Sequence, residues 1–318
     1  MVPIKPILVI YNPTAGRGRV LEYWPRVAKA LHDAGVVFEA AATKGPSDAV
    51  RLAEEATKRH SAIVGVGGDG TIHEIANGLI RASQESETLP LGVIPLGNGD
   101  DFAKIIPPET KIGSKQFGWK EAVQKIAGGN TRLFDMGKIQ GGLLRPEMPT
   151  GPQYFMNGMD IGFGAQTMYN LKHIPKFLTG LSAYLTAVIM TLIDYKIPKL
   201  HLEMDGFPPF EQDTTLTAIM NGRCFGSGFW VCPEACADDG FFDVLVSEAV
   251  DRLNIMRLVP SLMKGEHLHE RVLKIYRTKR IAIESVEPLT VEVDGEIPYT
   301  EAKRLEIELL PKVLRVFV

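Results

Sequence analysis

Cysteine is scarce in this chain: among 318 residues there are three, Cys224, Cys232 and Cys236, and no two of them have CxxC spacing. That argues against a zinc site or a disulfide framework, and a reducing, cytoplasmic setting is the expectation. Runs of Lys or Arg are also missing. With a formal net charge of −3 the chain carries no footprint for nucleic acid and no polybasic membrane anchor. Clusters such as Lys58-Arg59-His60 and Arg277-Thr278-Lys279-Arg280 read as solvated faces or strand edges. The long uncharged stretch, Phe177–Ile193, is slightly short for a membrane span and carries Ser and Thr, so a buried or pocket-lining helix is expected there. Met1-Val2-Pro3-Ile4-Lys5-Pro6 runs straight into a strand-like segment without a charged-then-apolar leader. There is no internal repeat and no low-complexity tract. The remaining composition, 45% hydrophobic and 23% charged, is that of an ordinary globular protein long enough for two domains.

The first third alternates strand and helix. Ile7–Tyr11 reads as a strand, Leu21–Ala34 as a helix stopped by Gly35, and Val36–Ala42 as a second strand. Ser47–Arg59 follows as a helix with Ser47 as its N-cap, then strand Ala62–Val66, a helix to about Arg81, and strand Leu91–Ile94. This rhythm predicts a parallel sheet covered on both faces, with ligands at the carboxyl ends of its strands. From Arg132 the pattern becomes one of short strands: Arg132–Gln140, Tyr154–Gly158, Lys199–Met204, Thr214–Met220, Phe241–Ser247, Lys279–Ile283, Leu289–Val293 and Leu305–Leu310. Two helices interrupt them, near Leu181–Asp194 and Ile255–Lys264, and Gly141–Pro152 reads as a surface loop. That half predicts an antiparallel sandwich or open barrel. Domains of 1–131 and 132–318 follow, with the last strand, Val313–Val318, free to pair in either.

Polar, glycine-containing segments sit at the ends of the early strands. Gly67-Gly68-Asp69-Gly70-Thr71 joins a strand to a helix, so its backbone N–H groups and the helix dipole suit a phosphate. Asp69 is out of place beside phosphate unless a divalent cation lies between them, as in nucleotide-dependent phosphoryl transfer; a tight turn N-capped by Thr71 is the simpler alternative. Asn12-Pro13-Thr14-Ala15-Gly16-Arg17-Gly18-Arg19 could hold a nucleotide through its backbone and Arg17 or Arg19, or could be a plain helix entry. It is neither a Walker A loop nor a dinucleotide fingerprint. Gly97-Asn98-Gly99-Asp100-Asp101 places two carboxylates at another strand end, where one could cap a helix or both could bind Mg²⁺. Asp238-Asp239-Gly240 and Asp294-Gly295-Glu296 read either as hairpin turns or as carriers of a functional carboxylate.

Gly67–Thr71 with the downstream His73-Glu74-Ile75-Ala76-Asn77-Gly78 resembles the catalytic domain of the diacylglycerol kinases, which group with sphingosine and ceramide kinases. Asn12–Gly16, Pro95-Leu96-Gly97 leading to Asp101-Phe102-Ala103, Asp238-Asp239-Gly240-Phe241 and Val293-Asp294-Gly295-Glu296 support the resemblance in the family's order. Gly-Gly-Asp-Gly-Thr alone also occurs in NAD kinases and resembles the phosphofructokinase motif. The resemblance implies an N-terminal Rossmann-like parallel α/β domain followed by an antiparallel β-sandwich. It implies an ATP-dependent lipid kinase, most similar to the soluble bacterial ones, acting on a lipid at the membrane surface.

Carried over residue by residue, it implies ATP binding by Asn12, Pro13, Thr14, Ala15 and Gly16, by Thr43, and by Gly67, Gly68, Asp69, Gly70, Thr71, Ile72 and His73, with Asn98 supplying a hydrogen bond to phosphate. Asp101 would belong to the catalytic centre, and Glu296 would be the proton acceptor with Asp294 beside it. A Mg²⁺ site that mainly holds structure would use the Asp239 carboxylate with the main-chain carbonyls of Cys236 and Phe241. The loop Gly97–Phe102 departs from the family's Gly-Thr-x-Asn-Asp-Phe: Asn98 replaces a Thr and Asp100 replaces an Asn, which bears on metal number and acceptor. A kinase of NAD or a small metabolite, and a non-catalytic nucleotide- or lipid-binding protein, remain alternatives. A homodimer is left open.

Overall fold

The computed structural model describes residues 5–107, 117–146, 148, 150–175, 178, 181–226 and 228–318. Strand β1 (Ile7–Tyr11) is flanked by β2 (Phe38–Ala42) and β3 (Ala62–Gly67), and β3 by β4 (Leu91–Pro95); every one of these pairings is parallel. β3 and β4 are buried throughout, as strands covered on both faces must be. Helices α1 (Arg19–Asp33), α2 (Asp48–Ala56), α3 (Asp69–Ala82), α4 (Asp101–Ile105) and α5 (Trp119–Gly128) complete this half.

The rest of the chain is a largely antiparallel array. It comprises β5 (Thr131–Gln140), β6 (Gln153–Phe155), β7 (Gly158–Gly162), β8 (Lys199–Met204), β9 (Phe210–Asp213), β10 (Leu216–Met220), β11 (Phe242–Ser247), β12 (Leu273–Thr278), β13 (Arg280–Val293) and β14 (Glu296–Phe317). Its helices are α6 (Phe163–Lys172), α7 (Leu181–Asp194) and α8 (Arg252–Lys264). The main path of the sheet runs β12-β11-β10-β7-β13-β14-β4-β3-β1-β2, so the parallel and antiparallel halves share one mixed sheet. β14 joins them. Its start pairs with β13, from Val293↔Glu296 to Arg280↔Glu308, and its end pairs antiparallel with β5 and, through Val316↔Leu91, parallel with β4. One apolar core fills the α/β half, and a second, built on Phe155, Phe242, Leu305 and Tyr299, fills the sandwich.

Several local expectations need correction. Ser47 stands at the N-cap of α2 but is left-handed, at φ +63°, and its side chain makes no cap bond. The carboxylate of Glu74 does that work from α3, accepting from Ser47 N at 2.9 Å and Ala49 N at 3.1 Å. Lys279–Ile283 and Leu289–Val293 are one strand, β13, which continues through Pro288 across an irregular register. Tyr154–Gly158 is divided between β6 and β7, and α6 was not anticipated. Residues 177, 179 and 180 of the Phe177–Ile193 stretch lie outside the described residues. Within α7, Val188 packs with Phe163, Ile255 and Leu258, while Leu185, Ile189, Met190 and Ile193 face outward, so the helix is half core and half apolar surface. Among the described residues no helix is long and apolar enough to cross a membrane.

Candidate active site

The early strands all end on the same edge of the sheet, and their loops pack against one another. β3 passes into α3 with only Gly68 between them, so Gly68, not Thr71, is the N-cap. A side chain on Gly97, in the loop after β4, would collide with the Gly68 backbone, so this pair of loops requires glycine on both sides. Asn12 Nδ2 donates to Thr71 Oγ1 at 3.2 Å, and Asn12 Oδ1 accepts from Thr14 N and Thr14 Oγ1 at 3.0 and 2.8 Å. Thr43 N donates to Tyr11 O at 2.9 Å, which brings the end of β2 alongside. Pro13 lies in the same loop, and Ala15 and Gly16 open a short 3₁₀ turn. Arg19 is tied down, its guanidinium donating to Leu96 O and Gly97 O. Asn98 is exposed at the loop tip, whereas the Ile72 side chain is in the core, leaving only its backbone for a ligand.

Three carboxylates gather where α3 and α4 begin. Asp69 Oδ1 accepts from Phe102 N at 3.1 Å, capping α4 from outside. Asp100 is left-handed, at φ +50°, and its Oδ1 accepts from Gly97 N at 2.9 Å. Asp101 Oδ1 pairs with Lys104 Nζ at 2.6 Å. Dehydration first, and then the charge of Asp101, push the Asp69 carboxyl up to about 7, against the opposing Phe102 N–H. Among the described residues no three His, Cys, Asp or Glu side chains converge into a preformed metal cage.

The turn between β13 and β14 enters this site from the other half of the molecule. A Cβ built on Gly70 would lie 3.9 Å from Glu296 Oε1, so the carboxylate faces the open side of the phosphate-type turn. Glu296 Oε2 pairs with Lys172 Nζ at 2.7 Å. Asp294 is occupied differently: its oxygens accept from the N–H groups of Met156, Asn157 and Gly158 at 2.8, 3.0 and 3.1 Å, and Oδ2 lies 3.1 Å from His73 Nδ1. Asp294 is thus a buried clamp between α3, the β6–β7 link and its own turn. Burial works against the charged form of His73, but the Asp294 carboxylate outweighs it and holds the ring above its usual range. Asn77 Nδ2, donating to His73 O and Tyr154 O at 3.0 Å each, closes the same junction.

The loop of Cys236, Asp239 and Phe241 has other partners. Asp239 pairs with Arg277 and accepts from Phe241 N at 3.0 Å, while Cys236 O accepts from Asp239 N at 3.4 Å. Asp135 ties the loop to β5 and β14 through Gly240 N at 2.8 Å and Lys312 N at 2.7 Å. Arg277 therefore already supplies positive charge where a structural cation was expected.

Two side chains that the motifs did not mark complete the site, Lys172 and Lys104. Glu74 and its neighbours in α3 were legible as a block, but Lys172 lies on the unanticipated α6 and had no sequence signal.

Comparison with known proteins agrees with this geometry. Residues 6–139 match the family model described as diacylglycerol kinase catalytic domain, and residues 159–318 match the YegS C-terminal NAD kinase beta sandwich-like domain. The chain thus joins a diacylglycerol kinase catalytic domain to a YegS-type C-terminal sandwich-like domain. The diacylglycerol kinase of Bacillus subtilis is 27% identical over 296 residues, covering 92% of this chain and 90% of that protein. The diacylglycerol kinase of Staphylococcus haemolyticus is 28% identical over 289 residues, covering 91% and 81%. A crystal structure of a putative diacylglycerol kinase from Bacillus anthracis has the same fold, with TM-score 0.74 at 23% identity over 100% of this chain and 98% of that one. Yeast NADH kinase, solved with NADH, shares the fold more distantly, with TM-score 0.52 at 12% identity over 99% and 82%. A diacylglycerol kinase catalytic domain implies ATP use and, typically, a divalent metal.

Proposed function

We propose that the protein is an ATP-dependent lipid kinase that moves the γ-phosphate of ATP to a hydroxyl of diacylglycerol or a related lipid. The observation that carries this reading is the approach of Glu296, from the sandwich half, to the Gly70 side of the Gly67–Thr71 turn. In this reading residues 1–131 bind the nucleotide and residues 132–318 present the lipid. The N–H groups of Asn12–Gly16 and Gly67–His73, with Thr43 and Asn98 beside them, hold ATP at the strand ends.

The crowding of Asp69, Asp100 and Asp101, with Asp69 held at about 7 by burial and Asp101, fits a divalent cation shared with phosphate oxygens. Mg²⁺ bound by Asp69 and Asp101 would neutralise charge on the transferred group. The Asp239 loop fits less well, because Arg277 already pairs with its carboxylate. Glu296 accepts the proton of the lipid hydroxyl as that oxygen attacks in line, and Lys172 orients the carboxylate before the acceptor arrives. Asp294 positions the turn and does not touch substrate. The outward apolar residues of α7 offer a surface for acyl chains when the enzyme visits the membrane.

The test is a transfer assay with γ-labelled ATP and Mg²⁺, offering micelles of diacylglycerol, phosphatidylglycerol, a long-chain base or a prenol, with NAD in parallel. Label in a lipid is the expected result. Label in NAD alone, or phosphate released only to water, would overturn the reading.

A further inference from the structure

Two carboxyl groups meet inside the sandwich half, away from the glycine loops. Glu292 on β13 is the register partner of Asp160 on β7, so their side chains stand on one face of the sheet, with Cβ atoms about 5 Å apart. Asp160 is 0% exposed and Glu292 1%. Asp160 has the Ala165 N–H of α6 beside it but no side-chain partner, Oε2 of Glu292 has no partner within the protein, and Glu292 Oε1 accepts from Gly295 N in the turn that leads to Glu296. Asp160 lies against the first turn of α6, where a side chain on Gly164 would strike its Oδ2. The last residue of α6 is Lys172, the partner of Glu296. A ring of contacts therefore closes on the proposed base, from Glu296 through Lys172, α6, Asp160, Glu292 and Gly295 back to Glu296.

Two buried anions side by side are strongly unfavourable, and a shared proton is the common resolution. The titratable groups facing the pair are Lys172 of α6, Tyr184 of α7, Tyr195 just beyond its end, and Asp294 of the turn. Of these only Lys172 is cationic, and it is committed to Glu296. Burial first, and then the nearness of Asp160, push Glu292 well above the usual carboxylate range; burial does the same to Asp160.

We infer that Asp160 and Glu292 share one proton, and that this neutralised pair is a positioning device fixing the Gly295 turn and α6 so that Glu296 meets the phosphate turn. The inference rests on the reading of Glu296 as proton acceptor. Infrared spectra of the whole protein at about pH 9, above the range in which Asp69 holds a proton, should contain a protonated-carboxyl band that is lost in the Asp160→Asn, Glu292→Gln double variant. Glu292→Gln keeps an acceptor for Gly295 and can donate to Asp160, so its kcat should stay within about threefold of the parent. Glu292→Leu keeps the volume but loses the acceptor; its kcat should fall about ten- to a hundredfold with KM for ATP unchanged, and exchange of the Gly295 amide should quicken. Absence of the band, or a Glu292→Leu enzyme with parental kcat, or a loss in which KM for ATP rises in step, overturns the inference. If the parent phosphorylates no acceptor, the kinase reading falls, and the infrared band and the Gly295 exchange still decide the fate of the pair.

Discussion

Replacing Asp294 should damage the fold more than any other single change in the turn that carries Glu296. Its carboxylate accepts from three main-chain N–H groups, of Met156, Asn157 and Gly158, and lies against His73. Asp294→Ala leaves these buried donors without an acceptor, at about 1–2 kcal/mol for each N–H. Ala also tolerates the left-handed backbone at φ +46° less well than Asp. The sum is about 4–6 kcal/mol, a large share of the roughly 5–15 kcal/mol available to a folded domain. Asp294→Asn keeps the backbone conformation and one oxygen, so about 2–3 kcal/mol is expected. Urea unfolding of the two variants beside the parent measures both costs. A loss below about 1 kcal/mol for Asp294→Ala would show that the clamp does not hold the two halves together.

The pH dependence of the same junction has a definite sign. His73 is held above the ordinary histidine value of 6.5 in the folded state, so its share of stability is fully present below pH 6.5 and is lost as pH rises through the raised value. Unfolding measured from pH 6 upward should therefore depend less on pH in Asp294→Asn than in the parent, and equal slopes would contradict the pairing. Asp69, raised to about 7, should release its proton when Mg²⁺ and nucleotide bind. Calorimetry near neutral pH in buffers of different ionisation enthalpy should detect that proton, and Asp69→Asn should abolish it. Gly97→Ala should abolish nucleotide binding, read by equilibrium titration, because the new Cβ meets Gly68 backbone that cannot move aside. Glu74→Ala should cost about 1–2 kcal/mol by removing both acceptors at the start of α2, while Ser47→Ala should be nearly silent in the same unfolding assay.

Much of this arrangement was legible in the chain. Short uninterrupted apolar runs such as Ala62–Val66, bounded by turn residues, fit strands buried on both faces, and glycine at their ends marks where backbones approach closely. The alternation of β1 to β4 with helices therefore placed Asn12, Thr43, Gly67 and Asn98 on one edge of a sheet. Contacts that cross the chain were not legible. Asp294 sits in an Asp-Gly turn like any other, and only the β6–β7 link brings it three N–H donors. An acid in a strand, such as Asp160 or Glu292, reads as a solvent-facing residue until register places two together. α6 begins at Gly162-Phe163-Gly164 with no capping side chain and only weak amphipathic patterning, so neither it nor Lys172 stood out. Ser47 had the right residue type for a cap, but the neighbouring Glu74 carboxylate supplied the bonds and the chain turned left-handed instead.

The central claim is that Glu296, delivered across the cleft, accepts the proton of an alcohol attacking ATP. Single-turnover transfer from γ-labelled ATP to the best lipid acceptor, comparing the parent with Glu296→Gln, tests it most directly. Gln preserves size and shape but is not a base, so the transfer rate should fall by about a hundredfold to ten-thousandfold while ATP affinity and stability stay unchanged. A Glu296→Gln enzyme that transfers phosphate at the parental rate would contradict the account.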